Sequence, residues 1–126
     1  MHKNSSFAHY LRTSMKANVD TIKKTLAKEG LSANLVAQLK ELWENIKINL
    51  KEPGYVRMIR LVYENIEEKG DYTYLFLPED DGKANLDYLL DLFADHTNKY
   101  NREELQEIRN LMEGIVPEEE TEKEEG

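Results

Sequence analysis

Cysteine is absent from this chain, and other familiar signals are missing with it. Without a thiol, the protein can form neither a disulfide nor a thiolate metal site. No apolar run approaches the roughly 20 residues that a membrane-spanning helix needs. The first residues are not followed by the apolar segment of a secretory signal. These absences lead us to expect an intracellular, cytoplasmic protein that has no membrane partner.

Signatures of catalysis are also missing. The sequence has no glycine-rich phosphate loop and no Gly-x-Ser-x-Gly element. None of its three histidines follows a glutamate by three positions, as di-iron helical bundles require. His96 falls near the predicted end of a helix, where the helix dipole favours a surface cation. We therefore assign no catalytic, cofactor-binding or metal-binding residue and expect a protein that is not an enzyme.

Helical periodicity, in contrast, runs through most of the 126 residues. Apolar side chains recur at steps of three and four over residues 7–28, and again from the predicted N-cap Ser32 to about Leu50. Gly30 is suited to ending the first helix, so the short connection predicts an antiparallel hairpin. Pro53 is suited to the first turn of a third helix, which Gly70 closes near residue 70.

The third helix is predicted to lie between the two ends of the chain. Its apolar side chains over residues 55–66 span about half of the helix circumference, which is more than one neighbouring helix can cover. Asn85 is the predicted N-cap of a fourth helix over residues 86–98, and Asn101 with Glu104 resembles a capping box that opens a fifth. The sequence thus predicts an all-α bundle of five helices, in which two hairpins surround the third helix.

Two segments fall outside this helical pattern. Residues 71–78 are rich in aromatic and β-branched side chains, which suit an extended chain. Since no second run of this kind is available as a pairing strand, we expect an extended arm across the bundle; pairing with another chain is the alternative. Residues 118–126 contain no apolar side chain and many glutamates, which is typical of disorder. The predicted domains are therefore a helical domain over 1–117 and a disordered acidic tail over 118–126.

The charge of the chain changes sign near its midpoint. Residues 1–60 carry eleven basic and five acidic side chains, a net charge of +6, whereas residues 61–126 carry six and twenty, a net charge of −14. The total of −8 argues against general affinity for nucleic acid. We expect a protein–protein interaction module, or a small regulatory or adaptor protein, that binds an unidentified protein partner through charged helix faces.

The candidate partner-binding residues form three groups, one basic, one aromatic and one acidic. If the basic and acidic groups face different partners, the molecule can also join head to tail with itself, so a homo-oligomer is possible. The alternatives are nucleic-acid binding by the basic N-terminal hairpin, and an inhibitor that mimics nucleic acid with aspartates spaced about 6 Å apart along the fourth helix. The candidates are Lys23, Lys24, Arg57, Arg60, Tyr72, Tyr74, Phe76, Asp87, Asp91 and Asp95.

Overall fold

The computed structural model describes residues 2–114, and it describes side chains from Met15 onwards. This part of the chain contains five α-helices and no β-strand, so the predicted all-α five-helix bundle is confirmed. No helix in it is long and apolar enough to span a membrane. The predicted tail over 118–126 lies outside the described residues. The helices are α1 (His2–Glu29), α2 (Ala33–Asn49), α3 (Pro53–Lys69), α4 (Gly82–Ala94) and α5 (Lys99–Glu113).

The helices pack side by side around one apolar core. Helix α1 contacts α2 and α4, whereas α3 contacts α2 on one side and α5 on the other. This agrees with the predicted position of α3 between the two terminal parts of the chain. Helices α4 and α5 also contact each other, which completes the bundle. The fully buried side chains come from all five helices and include Ile22, Leu39, Met58, Phe93 and Leu105.

The N-terminal hairpin forms for the reasons that the sequence suggests. Gly30 has a left-handed backbone (φ 71°), and its N–H donates to the Leu26 carbonyl at 2.9 Å. The Ser32 hydroxyl accepts a hydrogen bond from the Leu35 N–H at 3.1 Å, so the predicted N-cap is confirmed. One boundary differs, because α1 begins at His2 and not at residue 7.

The predicted start of the fourth helix is wrong by several residues. Helix α4 begins at Gly82, and its N-cap is Asp81, whose carboxylate accepts a hydrogen bond from the Ala84 N–H at 2.9 Å. Gly82 is required here because a Cβ would collide with the Tyr72 carbonyl. Asn85, the predicted cap, is buried inside the helix and binds the preceding loop.

The predicted start of the fifth helix is also wrong. Helix α5 begins at Lys99, and the side chain of its N-cap, Asn98, accepts a hydrogen bond from the Asn101 N–H at 3.1 Å. The Asn101 side chain instead donates to the carbonyls of Leu92 and Asp95, at 3.3 and 3.1 Å. It therefore closes the end of α4, which would otherwise leave carbonyl groups without donors.

Residues 71–78 form the predicted arm as an irregular segment without strand pairing. Two buried asparagines hold it against the bundle. The Asn65 side chain accepts from the Thr73 N–H at 2.7 Å and donates to the Thr73 hydroxyl at 2.9 Å. The Asn85 side chain accepts from the Leu77 N–H at 2.7 Å and donates to the Leu77 carbonyl at 3.0 Å. The arm is therefore part of the folded domain.

Candidate functional site: a basic groove beside Trp43

The most distinctive surface of the bundle lies at the corner between α2 and α3. Three residues, 50–52, reverse the chain, and Lys51 among them has a left-handed backbone with φ 57°. A non-glycine residue in this conformation carries strain. Pro53 then occupies the first turn of α3, where its missing N–H costs nothing. This corner brings the end of α2 against the start of α3.

An open groove of about 480 Å³ runs along this corner. This volume lies within the range of about 300–1,000 Å³ that is typical of small-molecule and cofactor sites. Apolar surface from Trp43, Pro53 and Val56 borders it, and basic side chains surround that surface. The basic members are Lys47, Lys51, Arg57 and Arg60.

Trp43, the only tryptophan in the chain, is held in place by its neighbours. The Lys47 ammonium lies 4.0 Å from the centre of the indole ring, in a cation–π arrangement. The Tyr63 ring meets the indole edge-on, with 6.2 Å between ring centres and 84° between planes. The indole is therefore ordered before any ligand binds, and Lys47 covers part of its surface.

The groove keeps a net positive charge after its internal ion pairs are considered. Arg57 pairs with Glu113 of α5, with 2.9 Å between Nε and Oε2. Glu52 is the one acidic side chain that lines the groove, and Arg102 compensates it at 3.2 Å. Within residues 15–114, Lys51 and Arg60 have no ion-pair partner, so their charges face solvent.

A second cavity of about 400 Å³ continues the basic surface towards α5. It shares residues 51–53 with the groove, and its other basic side chains are Arg102 and Arg109. The Arg109 guanidinium lies where a side chain at Gly54 would project, so this position accepts only glycine without a shift of the arginine. Basic side chains therefore extend from α2 across the start of α3 to α5.

The structure separates the basic residues that the sequence groups together. Arg57 and Arg60 line the groove, whereas Lys23 of α1 lies against α4. Lys23 bonds to Asp91 and lies 3.6 Å from Asp87, so the two predicted charge groups meet within one chain. Lys24 and Asp95 are exposed on other parts of the surface.

The aromatic candidates belong mainly to the packing of the arm. Tyr72 is 1% exposed, so it contacts the core and is not available to a partner in this structure. Tyr74 packs edge-on against Tyr72, with 5.8 Å between ring centres. Phe76 stacks on Tyr88 of α4 at 6.3 Å. Of the three predicted aromatic contacts, the two half-buried rings, Tyr74 and Phe76, keep some exposed surface.

Sequence reasoning did not identify Trp43, Lys47 or Lys51 as site residues. The signal was their spacing of four positions, which aligns an indole and two cations along one side of the end of α2. Trp43 was instead read as part of the apolar stripe of that helix. The contribution of α3 to the groove depends on the left-handed corner at Lys51, which periodicity does not reveal.

The structure thus defines an all-α bundle with a basic groove on its surface. In the part of the chain whose side chains are described, no cluster of three or more histidine or acidic residues is placed to hold a metal ion. No protein-family model matches this chain, and no curated protein or solved structure matches it either.

Proposed function

We propose that this protein is a non-enzymatic interaction module that binds an acidic peptide segment of a partner protein in the groove beside Trp43. The observation that carries the proposal is an apolar surface enclosed by cations. An apolar side chain of the partner contacts Trp43 and Val56. Neighbouring carboxylates of the partner pair with Lys51 and Arg60, whose charges are not neutralised within residues 15–114.

The size and charge of the groove support a peptide as the ligand. A groove of about 480 Å³ holds one or two side chains, which matches the anchor-residue mode of protein recognition. The surrounding cations attract an acidic segment during diffusional encounter and reject basic segments. The preorganised indole also lowers the ordering cost of binding, because its contacts with Lys47 and Tyr63 already fix its position.

The arrangement around Trp43 favours a peptide over a nucleic-acid strand. Proteins that bind single strands stack bases on open aromatic faces. Here the Lys47 ammonium occupies the space over the indole ring, at 4.0 Å from its centre. The mimic of nucleic acid and the head-to-tail oligomer both need the aspartates of α4 for a second molecule. Within this chain, Asp87 and Asp91 already pair with Lys23.

The single tryptophan provides a direct binding assay. The probe is a short synthetic peptide of glutamates interrupted by leucines, and the matched control peptide has glutamine at each glutamate position. We expect the acidic peptide to change the Trp43 fluorescence in a saturable manner, and the glutamine peptide to bind at least about tenfold more weakly. Equal affinity for the two peptides, or no binding by either, contradicts the proposal.

Charge reversal then locates the binding surface. The variant Lys47→Glu with Arg60→Glu is expected to weaken the acidic peptide at least about tenfold in calorimetry, because two attractive contacts become repulsive. The matched control is Lys16→Glu with Lys24→Glu, which makes the same change of net charge on exposed positions of α1. If the control variant loses as much affinity as the groove variant, the groove is not the site. Random duplex DNA at low salt serves as the competing ligand, and its tight binding in place of the peptide favours the nucleic-acid alternative.

A further inference from the structure

We propose that the groove beside Trp43 also binds the chain's own acidic C-terminal segment, residues 115–126, which thereby competes with the partner. This inference rests on the proposed function, because it assigns a regulator to the same site. It joins three observations: where α5 ends, what the following residues are, and which charges of the groove remain available.

The described chain ends beside the groove. Gly114 closes α5 with a left-handed backbone (φ 71°), and the preceding residue, Glu113, contacts Arg57. The distance from Glu113 Oε2 to Arg57 Nε is 2.9 Å, and Arg57 is one of the side chains that line the groove. Residue 115 therefore follows at the edge of the proposed binding surface.

The composition of residues 115–126 matches the chemistry of the groove. Ile115 and Val116 come first and supply apolar side chains for the surface formed by Trp43 and Val56. After Pro117 the segment contains six glutamates and one lysine, a net charge of −5. Twelve residues extend to about 40 Å, so the glutamates can reach the basic side chains on both helices of the corner. The groove has attached to its edge the kind of peptide that it is proposed to bind.

Covalent attachment makes even a weak contact effective. A short flexible connection gives an effective concentration of about 1 mM. A segment whose intrinsic Kd is about 0.1 mM would then occupy the groove about nine-tenths of the time. A partner peptide would have to displace it, and its apparent affinity would fall about tenfold. The segment thus sets a threshold for partner binding without changing the bundle.

The test uses the full chain and two variants with the same change of net charge. In the tail variant, glutamine replaces Glu118, Glu119, Glu120 and Glu122. In the control variant, glutamine replaces four exposed glutamates of the bundle that form no ion pair within residues 15–114, namely Glu41, Glu64, Glu68 and Glu107. Each protein is titrated with the acidic Glu/Leu peptide, and Trp43 fluorescence is quenched with acrylamide, which is uncharged.

We expect the tail variant to bind the acidic peptide about tenfold more tightly than the unchanged chain, and its Trp43 to be quenched more strongly. The control variant should match the unchanged chain within about twofold. Equal binding and equal quenching in all three proteins overturn the inference and leave the proposed function intact. Peptide binding by none of them overturns the proposed function. In that case, stronger quenching in the tail variant still supports occupation of the groove by residues 115–126, and equal quenching overturns it.

Discussion

At the scale of single residues, three asparagines determine how the irregular segments attach to the bundle. Asn65 and Asn85 hold the arm, and Asn101 closes the end of α4. An asparagine amide both donates and accepts, so it can satisfy the backbone of a segment that has no helical or strand partner. The sequence predicted Asn85 and Asn101 as helix caps, because capping is the commonest local role of this side chain. Their true partners are eight or nine positions away, and no local pattern reveals them.

His96 shows a second residue-scale difference between prediction and structure. It was expected at the surface, but it is 6% exposed and stacks on Phe93 at 5.5 Å, with the Tyr55 ring edge-on at 5.7 Å. Burial lowers the pKa of His96 below its ordinary value, because a charged imidazolium loses hydration among these rings; the nearby Glu52 carboxylate only partly opposes this. The helix-dipole argument lost because the histidine lies beyond the end of α4, inside the aromatic cluster.

The lowered pKa of His96 predicts that acid destabilises the bundle. In the unfolded chain the imidazole titrates near 6.5, whereas the folded state takes up its proton only at lower pH. The unfolded state therefore binds more protons as the pH falls below about 6.5, and stability decreases by at most about 1.4 kcal/mol per pH unit from this group. Urea unfolding at pH 7.5 and pH 5 measures the decrease. His96→Gln should show a smaller decrease, and an identical pH dependence of both proteins would contradict the assignment.

At the scale of elements, the helices follow from periodicity while their junctions follow from particular turns. Gly30 and Gly70 end α1 and α3 as predicted, both with left-handed backbones. The corner before α3 reaches the same conformation with Lys51, which the sequence gives no reason to expect. This explains the uneven result for the candidate site. Arg57 and Arg60 were found from the charge of one helix, whereas the groove that they line requires the geometry of two.

The strain at Lys51 predicts opposite effects on stability and on binding. Lys51→Gly should increase the free energy of unfolding by about 1 kcal/mol, since glycine adopts a left-handed backbone without steric cost. The same change removes a cation from the groove and should weaken the acidic peptide. Lys51→Ala is the matched control, because it removes the charge but keeps the strain. Urea unfolding of both variants gives the stability, and a Lys51→Gly protein no more stable than the alanine variant would argue against strain at this corner.

At the scale of the whole molecule, the two oppositely charged halves of the chain are joined by ion pairs. Lys40 of α2 pairs with Glu67 of α3 at 2.7 Å, and Arg57 pairs with Glu113. Lys23 pairs with both Asp87 and Asp91. The sequence indicated two separate poles for two partners, because chain position was taken as a guide to surface position. Folding places α1 against α4, so that part of the charge difference is neutralised internally.

The contact between α1 and α4 gives a test of this charge matching. Partial burial opposes the charged form of Lys23, but the hydrogen bond to Asp91 and the charge of Asp87 outweigh it and raise the pKa of the ammonium group. Lys23→Glu would place three carboxylates together, and we expect it to reduce the free energy of unfolding by about 1–2 kcal/mol. Adding Asp91→Lys should recover at least half of this loss, because an opposite-charge pair is restored.

The control for this prediction is Lys24→Glu, which makes the same charge change at the adjacent exposed position. It should alter stability little, since the side chain forms no ion pair in the described part of the chain. Urea unfolding in low salt and in 1 M NaCl measures all four proteins, and salt should shrink the loss in the Lys23→Glu variant because the charges are partly exposed. If the exchanged pair gives no recovery, or if Lys24→Glu is equally harmful, net charge alone governs stability and the matching of α1 to α4 contributes nothing.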